Sequence, residues 1–241
     1  KSTIRQTISI TEGSPLVTFD TEADWQESQK MLRTAFYTNI ETDEVTCDIQ
    51  YGNIRRPAHR NTSWDMAKCE ICAHKYADLS DGGYGAALLN DSKYGYCVEN
   101  GMLDLNLLRS PNYPGEAADR GRHSFRYALY PHPGDVLHSD VLRKSYEFNQ
   151  ELRIGGRIEQ LMTVDNPRII IESVKKAEDS EAVIVRLYES AGIAGEAALT
   201  VRRPVKEAYL VNLMEEEAQT ADLTCIPFRG FEIQTIQLIL D

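Results

Sequence analysis

The sequence has no apolar run that approaches the roughly 20 residues a membrane-spanning helix needs. Its opening stretch, KSTIRQTISI, also lacks the apolar core of a signal peptide, so we expect a cytoplasmic protein without a membrane partner. Positive charge is in deficit, with 26 Lys and Arg against 37 Asp and Glu and a formal net charge of −11. This balance argues against unspecific binding to nucleic acid, which needs clustered Lys and Arg to displace counterions from the phosphates.

Cysteine is scarce as well, and its number is odd, which is typical of a chain in a reducing compartment. The cysteines are Cys47, Cys69, Cys72, Cys97 and Cys225. Cys69 and Cys72 form a CxxC pair, but a structural zinc site needs further converging ligands and the sequence offers no second such pair. His138 and Asp140 form an HxD pair inside a predicted helix, and two ligands do not make a site. We therefore predict no metal site and no cofactor in this chain.

Helical periodicity is rare, and a period of two dominates instead, which is typical of β-strands. In the first part of the chain we predict strands over residues 2–10, 16–25, 31–40, 44–50, 69–76, 84–90, 93–98, 102–108 and 123–130. Their regular spacing favours a sandwich or a barrel. One helix is predicted from Asp135 to Asn149, with Asp135 as its cap, and we expect it to pack on the sandwich.

Glycine marks the predicted turns and one predicted linker. Residues 78–83, DLSDGG, predict a turn, and Asn100 followed by Gly101 predicts a hairpin. Residues 109–122 are rich in proline, glycine and charge, which indicates a loop at the rim of a sheet. Gly155 precedes a polar stretch and indicates a domain boundary.

Two domains follow from that boundary, one over residues 1–155 and one over residues 156–241. In the second domain we predict six short strands, over residues 168–174, 182–188, 197–203, 208–213, 223–227 and 231–240. The predicted fold class is therefore all-β, with a larger antiparallel sandwich followed by a smaller one and a single crossover helix.

Four segments stand out in chain order: HRNTSWD, KCEICAHKYADLSDGGYGAALLNDSKYGY, GMLDLNLLRSP and RHSFRYALYPH. Together they resemble the non-catalytic C-terminal half of the glycoside hydrolase family 38 α-mannosidases, in their bacterial and cytosolic branch. The resemblance covers nearly the whole chain. It implies an antiparallel super-sandwich of the galactose-mutarotase-like type, beginning upstream of Lys1, and a smaller β-sandwich after it. It also implies that zinc and the catalytic carboxylate belong to a preceding catalytic domain, so that this chain has no catalytic residue and is inactive alone.

The resemblance also places one arginine near the mannoside substrate that the neighbouring catalytic domain would hold. This residue is Arg109, at the end of the predicted strand GMLDLNLLR, and a guanidinium can give paired hydrogen bonds to sugar hydroxyls or to a carboxylate. The alternative for Arg109 is an ordinary ion pair at the rim of the sheet. His59, Arg60 and Asn61 form a polar cluster before Trp64 and are further candidates for lining the same cleft. Their alternative role is to satisfy the hydrogen bonds of a loop.

Among the acidic residues, Asp78 and Asp81 are the best local candidates for contact with sugar, because they lie in a predicted turn beside aromatic residues. The alternative is that these residues only form a turn, since aspartate side chains accept hydrogen bonds from nearby backbone N–H groups and glycine adopts a positive φ. We retain Asp81 as a substrate-proximal candidate.

Two other functions remain open. An autonomous carbohydrate-binding module would need an exposed platform of aromatic rings, and the candidates are Tyr51, Tyr84, Tyr94, Tyr96 and Tyr113. A role in subunit contact would follow from an unpaired strand edge, which is a template for association and would give a homo-oligomer.

Overall fold

The computed structural model describes residues 1–150, 155, 159–216 and 218–241, and it divides the chain into two compact units. The first unit comprises residues 1–49 and 54–152, and the second comprises residues 50–53 and 153–241. The predicted boundary falls within residues 151–158, which lie outside the described residues except for Gly155.

Antiparallel strands form two sheets in the first part of the chain. The strands are β1 (Thr3–Ile10), β2 (Val17–Trp25), β3 (Leu32–Tyr37), β4 (Glu44–Ile49), β5 (Gly52–Pro57), β6 (Ile71–Cys72), β7 (Tyr76–Ser80), β8 (Tyr84–Asn90), β9 (Gly95–Glu99), β10 (Met102–Leu108) and β11 (Gly121–Pro133). The larger sheet has the order β1-β2-β11-β8-β7-β4-β5, and the smaller has the order β3-β10-β9-β6. The sandwich that the period-two pattern predicts is therefore confirmed.

The core of the first unit lies between these sheets. Leu79 and Leu88 from the larger sheet and Leu103 and Leu105 from the smaller one are fully buried in one cluster. Each such leucine contributes about 1.5–3 kcal/mol through removal from water. Leu89, next to Leu88 in β8, points to the opposite face, where a second apolar cluster forms. Because both faces of β8 are covered, its sequence is continuously apolar rather than alternating.

The predicted helix is present in two pieces, a 3-10 turn at Val136–His138 and an α-helix at Val141–Asn149. Asp135 caps the first piece, as predicted, because its Oδ1 accepts hydrogen bonds from two backbone N–H groups at 2.9 and 3.1 Å. Ser139 interrupts the helix with an extended backbone, and its hydroxyl donates to the carbonyl of Val136 at 2.8 Å. Such local side-chain bonds compete with helical ones. The α-helix packs its apolar side on the outer face of the larger sheet.

The strand predicted over residues 69–76 is largely wrong. A short helix, α1 (Ser63–Ala67), precedes this segment, and the two-residue strand β6 follows the helix. The helix at Val141–Asn149 is therefore α2. The backbone N–H groups of His74 and Lys75 bond to Asp48, at 3.0 Å to its carbonyl and 2.9 Å to its carboxylate. These residues therefore pair with a side chain and a carbonyl of β4 instead of continuing a strand.

The second unit is a smaller β-sandwich. Its strands are β12 (Met162–Val164), β13 (Ile169–Lys176), β14 (Val183–Glu189), β15 (Gly195–Ala197), β16 (Leu199–Val201), β17 (Val205–Val211), β18 (Gln219–Thr220), β19 (Ile226–Phe228) and β20 (Ile233–Leu240). The sheet β13-β14-β20-β17-β18 packs its apolar face against the pairs β12-β16 and β15-β19. The single strand predicted over residues 197–203 is split, because β15 and β16 pair with different partners. No helix in the described part of the chain has the length and apolarity that a membrane crossing requires.

Candidate functional site

Arg109 directly follows β10 and lies in an open cleft of about 390 Å³. The cleft is lined by Gln29, Met31, Arg109, Ser110, Pro111, Asn112 and Tyr113. Arg109 is exposed, and its guanidinium makes no hydrogen bond or ion pair with any described residue. The alternative of an ordinary rim ion pair is therefore absent within the described chain, and the side chain is available to a ligand.

The backbone beneath Arg109 is held firmly although its side chain is exposed. The Asp119 carboxylate accepts hydrogen bonds from the backbone N–H groups of Ser110 at 3.0 Å and Arg109 at 2.9 Å, and these bonds lower the pKa of Asp119. Ser110 has a positive φ of 54°, its hydroxyl accepts from the Trp25 indole, and its carbonyl accepts from the backbone of Gln29 at 2.8 Å. These anchors fix the point from which the guanidinium extends.

A charged cluster lies on the smaller sheet near this arginine. Arg33 of β3 bonds through Nε to both carboxylate oxygens of Asp104, at 3.0 and 2.8 Å, and through Nη1 to Glu70 at 2.8 Å. Asn106 donates to the same Glu70 oxygen at 2.9 Å. The hydrogen bond from Asn106 and the pair with Arg33 lower the pKa of Glu70 against the effect of burial, and the charge of Arg109 adds to this. Arg109 therefore stands within electrostatic reach of an ionised glutamate.

His59 and Arg60 line a different pocket of the first unit, of about 250 Å³. Arg60 Nε pairs with Glu99 at 3.1 Å, and His59 Nδ1 lies 3.6 Å from the Asp65 carboxylate. Asn61 is exposed, and its backbone N–H donates to His59 Nδ1 at 3.4 Å. The structure thus keeps His59 and Arg60 together but gives Arg109 a separate cleft.

Asp81 closes the turn between β7 and β8 and lines neither pocket. Its Oδ1 accepts from the backbone N–H groups of Gly83 at 2.9 Å and Tyr84 at 3.2 Å, and these bonds lower the pKa of Asp81. The carboxylate is exposed, so a ligand can still reach its second oxygen.

The prediction that Asp78 lies in this turn is wrong. Asp78 belongs to β7, is 1% exposed and accepts from Ser80 at 2.9 Å. Its other oxygen lies 2.7 Å from Nε2 of His132, which is also buried. Burial raises the pKa of Asp78, and the bond to His132 opposes part of that rise. Asp78 is therefore a structural group out of reach of a surface ligand.

The aromatic candidates do not form one platform. Tyr96 is fully buried in the sandwich core, so its inclusion is wrong. Tyr51 contacts the Tyr188 ring edge-on at 5.4 Å, and Tyr94 contacts His74 in the same way at 5.3 Å. Tyr84 is 38% exposed, and Tyr113, at 88%, is the most exposed of the five.

No three His, Cys, Asp or Glu side chains converge to hold a metal ion within residues 1–150, 155, 159–216 and 218–241. Both cysteines of the CxxC pair are exposed free thiols, and His138 pairs with Asp135 at 2.8 Å. The described residues therefore do not fit a zinc ion.

Two family descriptions match the chain. "Glycosyl hydrolases family 38 C-terminal domain" matches residues 1–117, and "Glycosyl hydrolases family 38 C-terminal beta sandwich domain" matches residues 168–236. The chain is 36% identical to alpha-mannosidase 2C1 of Homo sapiens over 99% of its length, and 37% identical to alpha-mannosidase G of Dictyostelium discoideum over 98%.

The fold is similar to that of a solved alpha-mannosidase from Enterococcus faecalis V583, with a TM-score of 0.83 at 20% identity over 98% of this chain. The chain corresponds to 24% of the human protein, 23% of the Dictyostelium protein and 29% of the Enterococcus chain. It therefore spans about a quarter of the length of these relatives.

Proposed function

The chain belongs to the C-terminal region of glycosyl hydrolase family 38, and we propose that it is the non-catalytic β-region of an α-mannosidase. In this proposal it supports and flanks the active site of a catalytic domain in the same polypeptide, where terminal α-D-mannosides are hydrolysed and where zinc is bound. The observation that carries the proposal is the exposed Arg109 guanidinium on a firmly anchored loop. A rigid base lowers the entropic cost of presenting a long side chain to a sugar.

The proposal extends to the branch of the family and to location. We assign the chain to the bacterial and cytosolic branch and to the cytoplasm, and its free cysteines support a reducing compartment. Homo-oligomer formation is part of the proposal as well. The edge strand β1 exposes Ile4, Ile8 and Ile10 on one side, and an uncovered apolar edge favours association.

Within this proposal, Arg109 donates hydrogen bonds to sugar hydroxyls or to a carboxylate that orients them, because no described residue accepts a hydrogen bond from its guanidinium. His59, Arg60 and Asn61 form a second substrate-proximal group, and Asp81 is a third candidate through its exposed carboxylate oxygen. None of these side chains is assigned a bond-breaking role.

The isolated 241-residue chain is expected to be inactive. It is assayed with an aryl α-mannoside in zinc-supplemented buffer, beside a preparation from cells carrying the empty vector. Turnover above that background would contradict a non-catalytic role.

The role of Arg109 is tested in the whole enzyme by Arg109→Ala. Loss of a charge-assisted hydrogen bond of about 1.5–3 kcal/mol lowers kcat/KM roughly ten- to a hundredfold. Arg122→Ala is the matched control, because Arg122 is an exposed arginine of β11 outside both pockets. Equal kcat/KM for the two variants would show that Arg109 makes no contact with the substrate.

An autonomous carbohydrate-binding module is the second candidate, favoured by the presence of exposed Tyr113 in the Arg109 cleft. Calorimetric titration of mannose or mannobiose into the chain distinguishes the two functions. A dissociation constant below roughly 1 mM, about −4 kcal/mol, would favour the module.

A further inference from the structure

The pocket that contains His59 and Arg60 is strongly basic in a chain that is strongly acidic. Its lining includes Arg55, Arg56, His59, Arg60, Asp65 and Lys68. Four of them are Lys or Arg and a fifth is histidine, whereas only Asp65 carries negative charge. The whole chain has 26 Lys and Arg against 37 Asp and Glu. A local excess of positive charge in such a protein draws anions to this pocket.

Some of these cations are already compensated by carboxylates. Arg55 pairs with Glu44 at 3.3 Å, and Arg60 pairs with Glu99 at 3.1 Å. Asp65 bonds to the backbone N–H and hydroxyl of Thr62 at 3.1 and 2.7 Å, which closes the cap of α1. Glu44 and Glu99 are therefore already paired with pocket arginines, and Asp65 is engaged with Thr62.

Arg56 and Lys68 are not compensated in this way. Neither forms an ion pair with a described residue, and Arg56 Nε is buried with no hydrogen-bond acceptor among them. The Cys47 thiol lies beside Arg56 and forms a hydrogen bond with it, and burial raises the pKa of Cys47 to about 12 despite that bond and the charge of Arg56. The thiol is therefore neutral and cannot balance the charge of the guanidinium.

Arg33, in the same unit, is an arginine whose charge is balanced by carboxylates. Its Nη2 likewise has no partner among the described residues, but its Nε and Nη1 bond to the carboxylates of Asp104 and Glu70. No carboxylate of the described chain does the same for Arg56, so its guanidinium is free to pair with an anion that enters the pocket.

We propose that this pocket binds a small oxyanion, a phosphate or carboxylate group, between Arg56, Lys68 and Arg60. The guanidinium groups suit the paired oxygens of such a group, and the Lys68 ammonium adds a point charge. A volume of about 250 Å³ admits inorganic phosphate or a monosaccharide phosphate but not a long chain. The proposal does not rest on the mannosidase role, and it holds whether or not His59 and Arg60 also flank the substrate.

The test is calorimetry of the 241-residue chain at low ionic strength, with inorganic phosphate, a hexose 6-phosphate and the neutral hexose as separate titrants. We expect one saturable site for both phosphates and none for the neutral hexose. Tighter binding of the hexose phosphate identifies a sugar phosphate as the ligand, and equal binding identifies the free anion. Absence of a saturable site for either phosphate would overturn the proposal.

Variants locate the site. Lys68→Gln, at an exposed position, is expected to weaken phosphate binding about fivefold, and Arg56→Gln about tenfold or more. Because Arg56 is partly buried, Lys68→Gln keeps the test decisive if Arg56→Gln does not fold. Arg143→Gln on α2 makes the same change in net charge outside the pocket, and wild-type affinity is expected for it. Equal weakening by Lys68→Gln and Arg143→Gln would contradict a local site.

A second measurement needs no variant. Cys69 lines the pocket and is exposed, so bound phosphate is expected to slow its alkylation, whereas Cys225 in the second unit is exposed and reacts at an unchanged rate. Mass spectrometry follows each thiol separately. Equal rates at Cys69 with and without phosphate would overturn the proposed location.

Discussion

The two units stabilise buried carboxylates in different ways. In the first unit, Asp78 is held by the side chains of His132 and Ser80 at 2.7 and 2.9 Å. In the second unit, Glu189 is 1% exposed and accepts from four backbone N–H groups between 2.7 and 3.1 Å. The donors to Glu189 belong to Ala191, Gly192, Ile193 and Phe231.

The difference lies in whether the partner can change its charge. Histidine titrates near neutral pH, whereas a backbone N–H does not. The first unit therefore couples the burial of Asp78 to a proton, and the second couples the burial of Glu189 to the shape of two loops. Gly192, with a φ of 77°, lies in the loop between β14 and β15, and Phe231, with a φ of 59°, lies in the loop between β19 and β20.

The largest effect is expected from His132→Ala, because it leaves the Asp78 carboxylate buried without the imidazole that lies 2.7 Å from it. Breaking such a pair costs about 3–5 kcal/mol of unfolding free energy at pH 7. Urea unfolding measures it, with His138→Ala as the control, since His138 forms an exposed pair with Asp135 that is worth at most about 1 kcal/mol. Equal losses for the two variants would show that the buried pair contributes no more to the unfolding free energy than the exposed pair.

Glu189→Gln is expected to cost about 2–3 kcal/mol. The amide retains one acceptor oxygen but turns an NH₂ group towards backbone donors, which leaves at least one buried N–H unpaired. Thermal unfolding by calorimetry measures the loss, and Glu216→Gln, at an exposed position of the same unit, should be nearly neutral. If Glu189→Gln left the stability of the second unit unchanged, the two loops around residue 189 would have to adapt to the lost acceptor.

Gly85→Ala tests the packing that brings His132 to Asp78. A Cβ at residue 85 would overlap the His132 ring, so the ring must shift and the expected cost is about 1–3 kcal/mol. Gly115→Ala is the control, because nothing lies within 4 Å of the added atom. If Gly85→Ala matched this control, the ring would have room that the structure does not indicate.

The sequence correctly predicts the strands and turns that are determined by residues close together in the chain. β8 and β10 have the predicted bounds, and Asn100 and Gly101 form the hairpin turn between β9 and β10 with φ values of 49° and 77°. The prediction fails over residues 69–76 because the group that redirects the backbone, Asp48, is 27 positions away from Lys75. A period of two cannot reveal a competing hydrogen bond from another strand.

The residues of the candidate site are also predictable from local sequence only in part. Arg109 is identified through the resemblance of its segment, but its anchor Asp119 lies ten positions further along, in a loop with no pattern of its own. The uncompensated state of Arg56 depends on which carboxylates the fold brings near, and the His132–Asp78 pair spans 54 positions. Such groups are identifiable only once the strand order is known.

The smallest expected effect is a pH dependence confined to the first unit. Burial lowers the pKa of His132, but the hydrogen bond and charge of Asp78 outweigh it and raise that pKa above its usual value. A raised pKa means that the folded state holds the proton more tightly. The resulting stability is fully present below the unfolded pKa of about 6.5 and is lost as pH rises through the folded value.

The unfolding free energy of the first unit should therefore fall above about pH 6.5, by no more than about 1.4 kcal/mol per pH unit for one proton. Hydrogen exchange measured between pH 6 and 8 reports each unit separately. The five histidines all precede residue 139, so the second unit provides a histidine-free reference that should not share the slope. His132→Gln keeps a donor to Asp78 without the titrating ring and should flatten the first unit's profile. If the slope persisted in His132→Gln, another group would have to carry the proton, and the contrast between the two units would no longer rest on the partner of Asp78.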